Sequence, residues 1–190
     1  GNDEDERCEL LFRRLYGRVL ATQISEGLPK GTCLDNEKAW MLAQQLVTAE
    51  IDYVRVRSPL TCETKGNGVC QFCHGLEWSR GRYMRNWDSN DGVSRGTMIG
   101  VIAAQAVGEP GTQMALRKKH AAGGGNTSDV SLTDIDTVRD LFAVDGMDPV
   151  EKRDTIDFIY RTNRIHVAPT HFETLIRATP VHGWLANAAD

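Results

Sequence analysis

The sequence lacks several things, and each absence excludes something. No run of about 18 apolar residues occurs, so no segment reads as a membrane span. No basic start leads into an apolar core, so no secretion signal is read. Basic charge is not in excess: 22 Lys and Arg face 26 Asp and Glu, a formal net charge of −4. The chain as a whole is therefore no electrostatic nucleic-acid binder, and any such role must be local or shared with a partner. Internal repeats and long low-complexity tracts are absent. The five cysteines are odd in number and irregularly spaced, which argues against a disulfide framework. In a reducing compartment such clusters more often bind metal.

What is present is ordinary globular composition, 25% charged and 41% hydrophobic over 190 residues. That supports one domain or two small ones and argues against wholesale disorder. Residues 2–7 read as a solvated, charged lead-in. Residues 15–24 alternate loosely and read as a short strand interrupted by Gly17, followed by turn chemistry at Gly27, Pro29 and Gly31. Asp35 is placed to cap a helix whose apolar stripe is Ala39, Leu42, Ala43, Leu46 and Val47. Residues 53–57 alternate as a second strand, with Val54 and Val56 on one face and Pro59 as its stop. Residues 97–107 are nearly all apolar and read as a buried helix, broken sharply at 108–111 by Gly-Glu-Pro-Gly. A second helix is expected over 112–120 with Thr112 as its cap. Gly123, Gly124 and Gly125 form an expected mobile stretch. Further helices are expected at 132–144, 155–160 and 170–178, with 145–149 as a link. The expected fold class is α+β: residues 1–95 a zinc-binding module, 96–145 a buried helix and helical hairpin, and 146–190 a short C-terminal helical segment.

Cys70 and Cys73 are separated by two residues, a spacing at which two thiolates grip one ion from a tight turn. Cys62 can supply a third sulfur, and the small Gly66 and Gly68 let the backbone curl beside it. By spacing alone the fourth ligand is Cys8, Cys33 or His74. His74 adjoins Cys73, where a second ligand would strain the turn, so it reads as an exposed histidine. A four-thiolate zinc site is closed and structural.

Two stretches carry a resemblance. Residues 58–75 read Ser-Pro-Leu-Thr-Cys-Glu-Thr-Lys-Gly-Asn-Gly-Val-Cys-Gln-Phe-Cys-His-Gly. Residues 100–114 read Gly-Val-Ile-Ala-Ala-Gln-Ala-Val-Gly-Glu-Pro-Gly-Thr-Gln-Met. Both resemble the largest subunit, beta-prime, of bacterial-type multisubunit DNA-directed RNA polymerase. Cys8 and residues 13–21 resemble the start of that family's second zinc region, so the resemblance assigns the zinc ligands as Cys8, Cys62, Cys70 and Cys73. Residues 112–120 resemble the first helix of the trigger loop, which folds against the incoming nucleotide. On that likeness Gln113 and Met114 start the helix and contact substrate, and Leu116 packs on the base. Arg117 and His120 face the triphosphate and are the catalytic candidates. Taken without the resemblance, Arg117 and His120 would be a solvated helix face and Leu116 a core contact. Residues 129–131 and 136–142 resemble the second trigger helix and its approach. Residues 158–161 and 165–177 resemble a stretch nearer the family's C-terminus.

There are departures. Lys119 stands where the family has an aromatic residue, and Ile135-Asp136-Thr137 replaces Leu-Pro-Arg. A short link near 145–155 replaces a large jaw. The Asp-rich loop that holds catalytic magnesium has no counterpart, since Asp88-Ser89-Asn90-Asp91 lacks its spacing. The resemblance therefore implies a divergent or split, phage-like subunit, inactive alone, with structural zinc of its own and magnesium bound by a partner subunit. It implies other polymerase subunits, DNA template, RNA and nucleoside triphosphates as partners, no membrane, and the cytoplasm of a bacterial or infected cell. Two alternatives stand beside it. One is a non-catalytic decoy or interaction protein that docks on a host polymerase. The other is a free-standing zinc-knuckle nucleic-acid binder, using Arg80, Arg82, Arg85 and Arg95 with Trp78, Tyr83 and Trp87 as a local patch. The overall acidity weighs against the latter.

Overall fold

Helix α1 (Asp3–Leu15) begins with Asp3, Glu4, Asp5 and Glu6 in its first turn and ends with Arg13 and Arg14. Both charge sets complement the helix dipole. The acidic entry is thus the first turn of a helix, although its side chains are exposed. Helix α2 (Asn36–Thr48) starts where the Asp35 carboxylate accepts the Lys38 backbone N–H at 2.9 Å. It buries Ala39, Leu42, Ala43, Leu46 and Val47, which recur at helical spacing. A 3₁₀ turn (Pro59–Thr61) and the short α3 (Gln71–His74) follow.

The computed structural model describes residues 3–51, 53–66, 68–76, 96–122 and 135–179, and for 115–122 the helical backbone alone. The triple glycine, residues 129–131, the Asp88–Asp91 tetrad and the arginine–aromatic group around Trp78 lie outside these residues. Two compact units are present, one spanning Gly1–Thr97 and one spanning Met98–Asp190.

The first unit closes over a core of Leu15, Tyr16, Val19, Leu20, Leu28 and Leu34 with the buried face of α2 and Leu76. Phe12 stacks on Tyr16 and meets Trp40 edge-on, each at 5.5 Å between ring centroids. Neither of the expected strands, at 15–24 before α2 and at 53–57 after it, forms. Val19 bridges to Cys33 and Leu20 to Val56, but both are isolated antiparallel bridges. Val19 and Leu20 are adjacent and both fully buried, so this segment has no solvent face and no true period-two alternation. Pro29 and Pro59 bring no N–H to extend the pairing on either side. The α+β expectation is therefore corrected: among the described residues there is no strand, and the fold is helical with bridged loops.

Asp35→Ala is expected to lower folding stability by about 1 kcal/mol, because the Lys38 N–H loses its acceptor. Asp35→Asn should keep most of that stability in urea denaturation, and equal losses for the two would count against the cap.

In the second unit α4 (Ile99–Ala122) packs with α5 (Ile135–Ala143), α6 (Pro149–Thr162) and α7 (Pro169–Ala178). Asp148 caps α6, accepting from the backbone N–H of Val150 at 2.9 Å and of Glu151 at 3.0 Å, with Pro149 as the first helical residue. Tyr160 and Phe172 pack edge to face at 5.1 Å. The fully buried Glu173 receives Arg153 Nη1 at 2.9 Å, which joins α7 to α6. Burial opposes the charge on Arg153, but Glu173 outweighs it and holds the guanidinium pKa above its usual value.

The expected break at 108–111 is also corrected. Helix α4 runs unbroken through Pro110, and Thr112 sits mid-helix, its hydroxyl donating to the Gly108 carbonyl at 3.1 Å. Ala103, Val107, Gly111 and Met114 are buried at intervals of four, four and three, one core-facing stripe that spans the proline. Tertiary packing along that stripe overrides the local breaker. The run at 97–107 is buried on this stripe only, since Met98 and Val101 are 71% and 49% exposed.

Candidate functional site

The Cys62, Cys70 and Cys73 sulfurs all lie within 4.8 Å of one another. The 3₁₀ turn, opened by the Ser58 hydroxyl accepting the Leu60 N–H at 3.1 Å, leads straight into Cys62. Cys70 precedes α3 and Cys73 lies on it, so one short helix fixes their separation. Gly66 at φ +71° allows the loop between Cys62 and Cys70 to turn back. Gly75 at φ +83° ends α3, and Leu76 N–H donates to the Gly17 carbonyl at 3.0 Å, seating the knuckle on the first unit's core.

The electrostatics suit a cation. Burial opposes ionisation of Cys62, but hydrogen bonds from the Cys70 N–H and from Thr64 outweigh it and draw its pKa down to about 6. Cys73 is pushed up to about 12 by burial and by its neighbouring sulfurs, with Arg57 pulling the other way. Cys62 ionises readily and Cys73 resists, as expected for close thiols. The Arg57 guanidinium is set beside the Cys73 and Cys70 sulfurs, and they hold its own pKa above the usual value.

Zinc–sulfur bonds of about 2.3 Å at tetrahedral angles put sulfurs about 3.8 Å apart, which this cluster accommodates. Three of the four expected ligands are brought together. Cys8 lies half-buried on α1 and is not in the group. Cys33 is a core residue beside Leu34, its thiol pushed up to about 12 by burial and by Asp35. His74 is 5% exposed, so its reading as an exposed histidine is corrected. Arg57 was not anticipated: it sits five residues before Cys62 in a segment read as strand, and no spacing pattern marks it.

The second candidate region is the far half of α4. Gln113 is exposed and Met114 is 4% exposed. The backbone of Leu116, Arg117 and His120 is helical, and their side chains lie outside the described residues. Three-residue spacing on a helix puts Arg117 and His120 on neighbouring positions of one face.

Both regions fall within a stretch, residues 42–148, that matches the family described as RNA polymerase Rpb1, domain 5. Cys8 lies outside that stretch. Similar proteins include the DNA-directed RNA polymerase subunit beta' of Thermus thermophilus, 39% identical over 120 residues. That alignment takes in 62% of this chain and 7% of the relative. The same subunit of Aquifex aeolicus is 41% identical over 115 residues, 58% of this chain and 6% of the relative. That of Nitrosococcus oceani is 40% identical over 121 residues, 60% of this chain and 8% of the relative. The chain thus corresponds to a small part of the length of the curated relatives it matches. With more than half of its residues inside the family match, and the cysteine knuckle and the Gly100–Met114 string both there, the chain belongs to the RNA polymerase Rpb1, domain 5 family and resembles a segment of the bacterial beta' subunit.

Proposed function

We propose that this chain works inside a DNA-directed RNA polymerase as the piece that closes on the incoming nucleoside triphosphate. The observation that carries the reading is the continuity of α4: the family string at 100–114 runs without a break into the turn bearing Arg117 and His120. The reaction is attack of an RNA 3′ hydroxyl on the α-phosphate, with pyrophosphate leaving. Magnesium ions held by another subunit would stabilise the attacking and leaving oxygens. This chain's own residues position and exclude water. Arg117 donates charge-assisted hydrogen bonds to phosphate oxygens. His120 provides a cation or a proton near the leaving pyrophosphate, and an unperturbed imidazole pKa of about 6.5 suits either. Leu116 packs on the base, and Gln113 lies at the root of that surface. Met114, packed inward, anchors the helix to its unit and does not touch substrate.

In this proposal zinc is held by Cys62, Cys70 and Cys73, with Cys8 as the fourth ligand, and is structural. The exposed Met98 and Val101 are covered by neighbouring subunits. Among the described residues no helix is long and apolar enough to cross a membrane, and the proposed setting is the cytoplasm, with template DNA and RNA in the same assembly.

The test is His120→Ala in the assembled polymerase. Nucleotide addition should slow by about 10–100-fold, in the range for loss of one proton donor or fixed cation, with zinc content and subunit composition unchanged. An unchanged rate removes His120 from the mechanism.

A further inference from the structure

Pro110 leaves α4 one backbone donor short, yet the helix continues through it. Pro110 brings no N–H to the carbonyl four residues earlier, so one rung of the helical ladder is missing. Beside that gap, the Tyr160 hydroxyl of α6 donates to the Val107 carbonyl at 2.7 Å. Tyr160 is fully buried, and burial raises its pKa to about 12, so the phenol remains a donor at working pH. The approach is close on the other side too. A Cβ placed on Gly111 would lie 3.4 Å from Tyr160 Oη and 2.6 Å from Ile135 Cδ1, the first residue of α5. Three helices meet at this one point of α4.

We propose that Tyr160 is a positioning residue for nucleotide addition: its hydrogen bond to α4 at the proline gap sets the course of the helix that carries Arg117 and His120. The inference rests on the function proposed above and deepens it. The leverage is large. His120 lies nine residues past Gly111, about 13 Å at 1.5 Å per residue. A bend of about 5° at the gap moves its backbone by about 1 Å. A misplacement of that size can slow a positioned reaction by about 100-fold. Helix α6 also ties down the end of α5, because Lys152 Nζ donates to the Val144 carbonyl, just past it, at 2.7 Å.

The experiment compares Tyr160→Phe, Gly111→Ala, the pair Gly111→Ala with Ile135→Val, and His120→Ala in the assembled polymerase. Tyr160→Phe keeps the ring packing against Phe172 and removes only the hydroxyl. It should slow nucleotide addition by about 3–30-fold and speed hydrogen exchange of the amides at 111–114, with zinc content and assembly unchanged. Gly111→Ala should slow addition as well. Ile135→Val deletes the Cδ1 atom that the new methyl group meets, so the pair should recover most of the rate. The proposal is overturned if Tyr160→Phe leaves exchange at 111–114 unchanged. It is equally overturned if Tyr160→Phe adds nucleotides at the parental rate while His120→Ala is slow. Loss of effect in His120→Ala as well overturns the parent reading, and the proposed catalytic consequence of Tyr160 with it.

Discussion

Cys73→Ser is expected to weaken zinc binding by about two to three orders of magnitude and to unfold the knuckle at 58–76. The thiol is 2% exposed and sits within 4.8 Å of the Cys62 and Cys70 sulfurs. A serine hydroxyl fills nearly the same space but does not ionise near neutral pH and is a poor partner for zinc. Structural zinc sites contribute about 10–16 kcal/mol of coupled binding and folding, or about 3–4 kcal/mol per ligand. That share converts to about 10²–10³-fold in affinity. The damage spreads beyond the metal, because the Arg57 guanidinium is set beside the Cys73 and Cys70 sulfurs and would lose one of them. Zinc per chain, read by atomic emission alongside thermal unfolding, checks this. Cys33→Ser is the control: its sulfur belongs to the core, so zinc should stay while stability falls. Cys8→Ser decides the fourth ligand, and it should match Cys73→Ser in zinc loss. Full zinc retention by Cys73→Ser would contradict the metal assignment.

Gly75→Ala is expected to cost the first unit about 3–5 kcal/mol, enough to unfold a marginal domain. Two penalties combine. The backbone at Gly75 has φ +83° and ψ −145°, a region that side chains strain to enter at about 1–3 kcal/mol. The added Cβ would also stand 2.0 Å from the Gly17 carbonyl oxygen, which is backbone and has no rotamer to escape into. Relief would require breaking the Leu76 N–H bond to that same oxygen. Gly27→Ala is the contrast, with nothing within 4 Å of the new atom, and it should change stability by less than about 1 kcal/mol. Chemical denaturation of the three proteins checks the ordering, and a Gly75→Ala variant as stable as Gly27→Ala would contradict the close approach.

The helices that could be read from the residues were those whose signals are local. Asp35 and the stripe from Ala39 to Val47 announce α2 with a cap and a period, and both act as read. The strands read at 15–24 and 53–57 failed because the β-rich residues there meet only through isolated bridges, Val19 with Cys33 and Leu20 with Val56, and sequence alternation does not say whether a partner strand exists. The break read at Pro110 failed for a different reason. Ala103, Val107, Gly111 and Met114 already carry a continuous period across the proline, and that period outweighed the breaker once α6 supplied a hydroxyl to the neighbouring carbonyl. Cysteine spacing marked the three sulfurs that cluster, because chelation from one turn is itself local. The arginine beside them and the tyrosine 53 residues from its carbonyl partner are products of folding, and nothing adjacent in the chain signals either.

The most direct measurement on the proposed closing of α4 over substrate uses a photo-reactive nucleoside triphosphate, bound to the assembled polymerase, cross-linked and mapped by peptide mass spectrometry. The account predicts label on this chain between residues 113 and 120. Label confined to other subunits, with this segment untouched at saturating nucleotide, would contradict it.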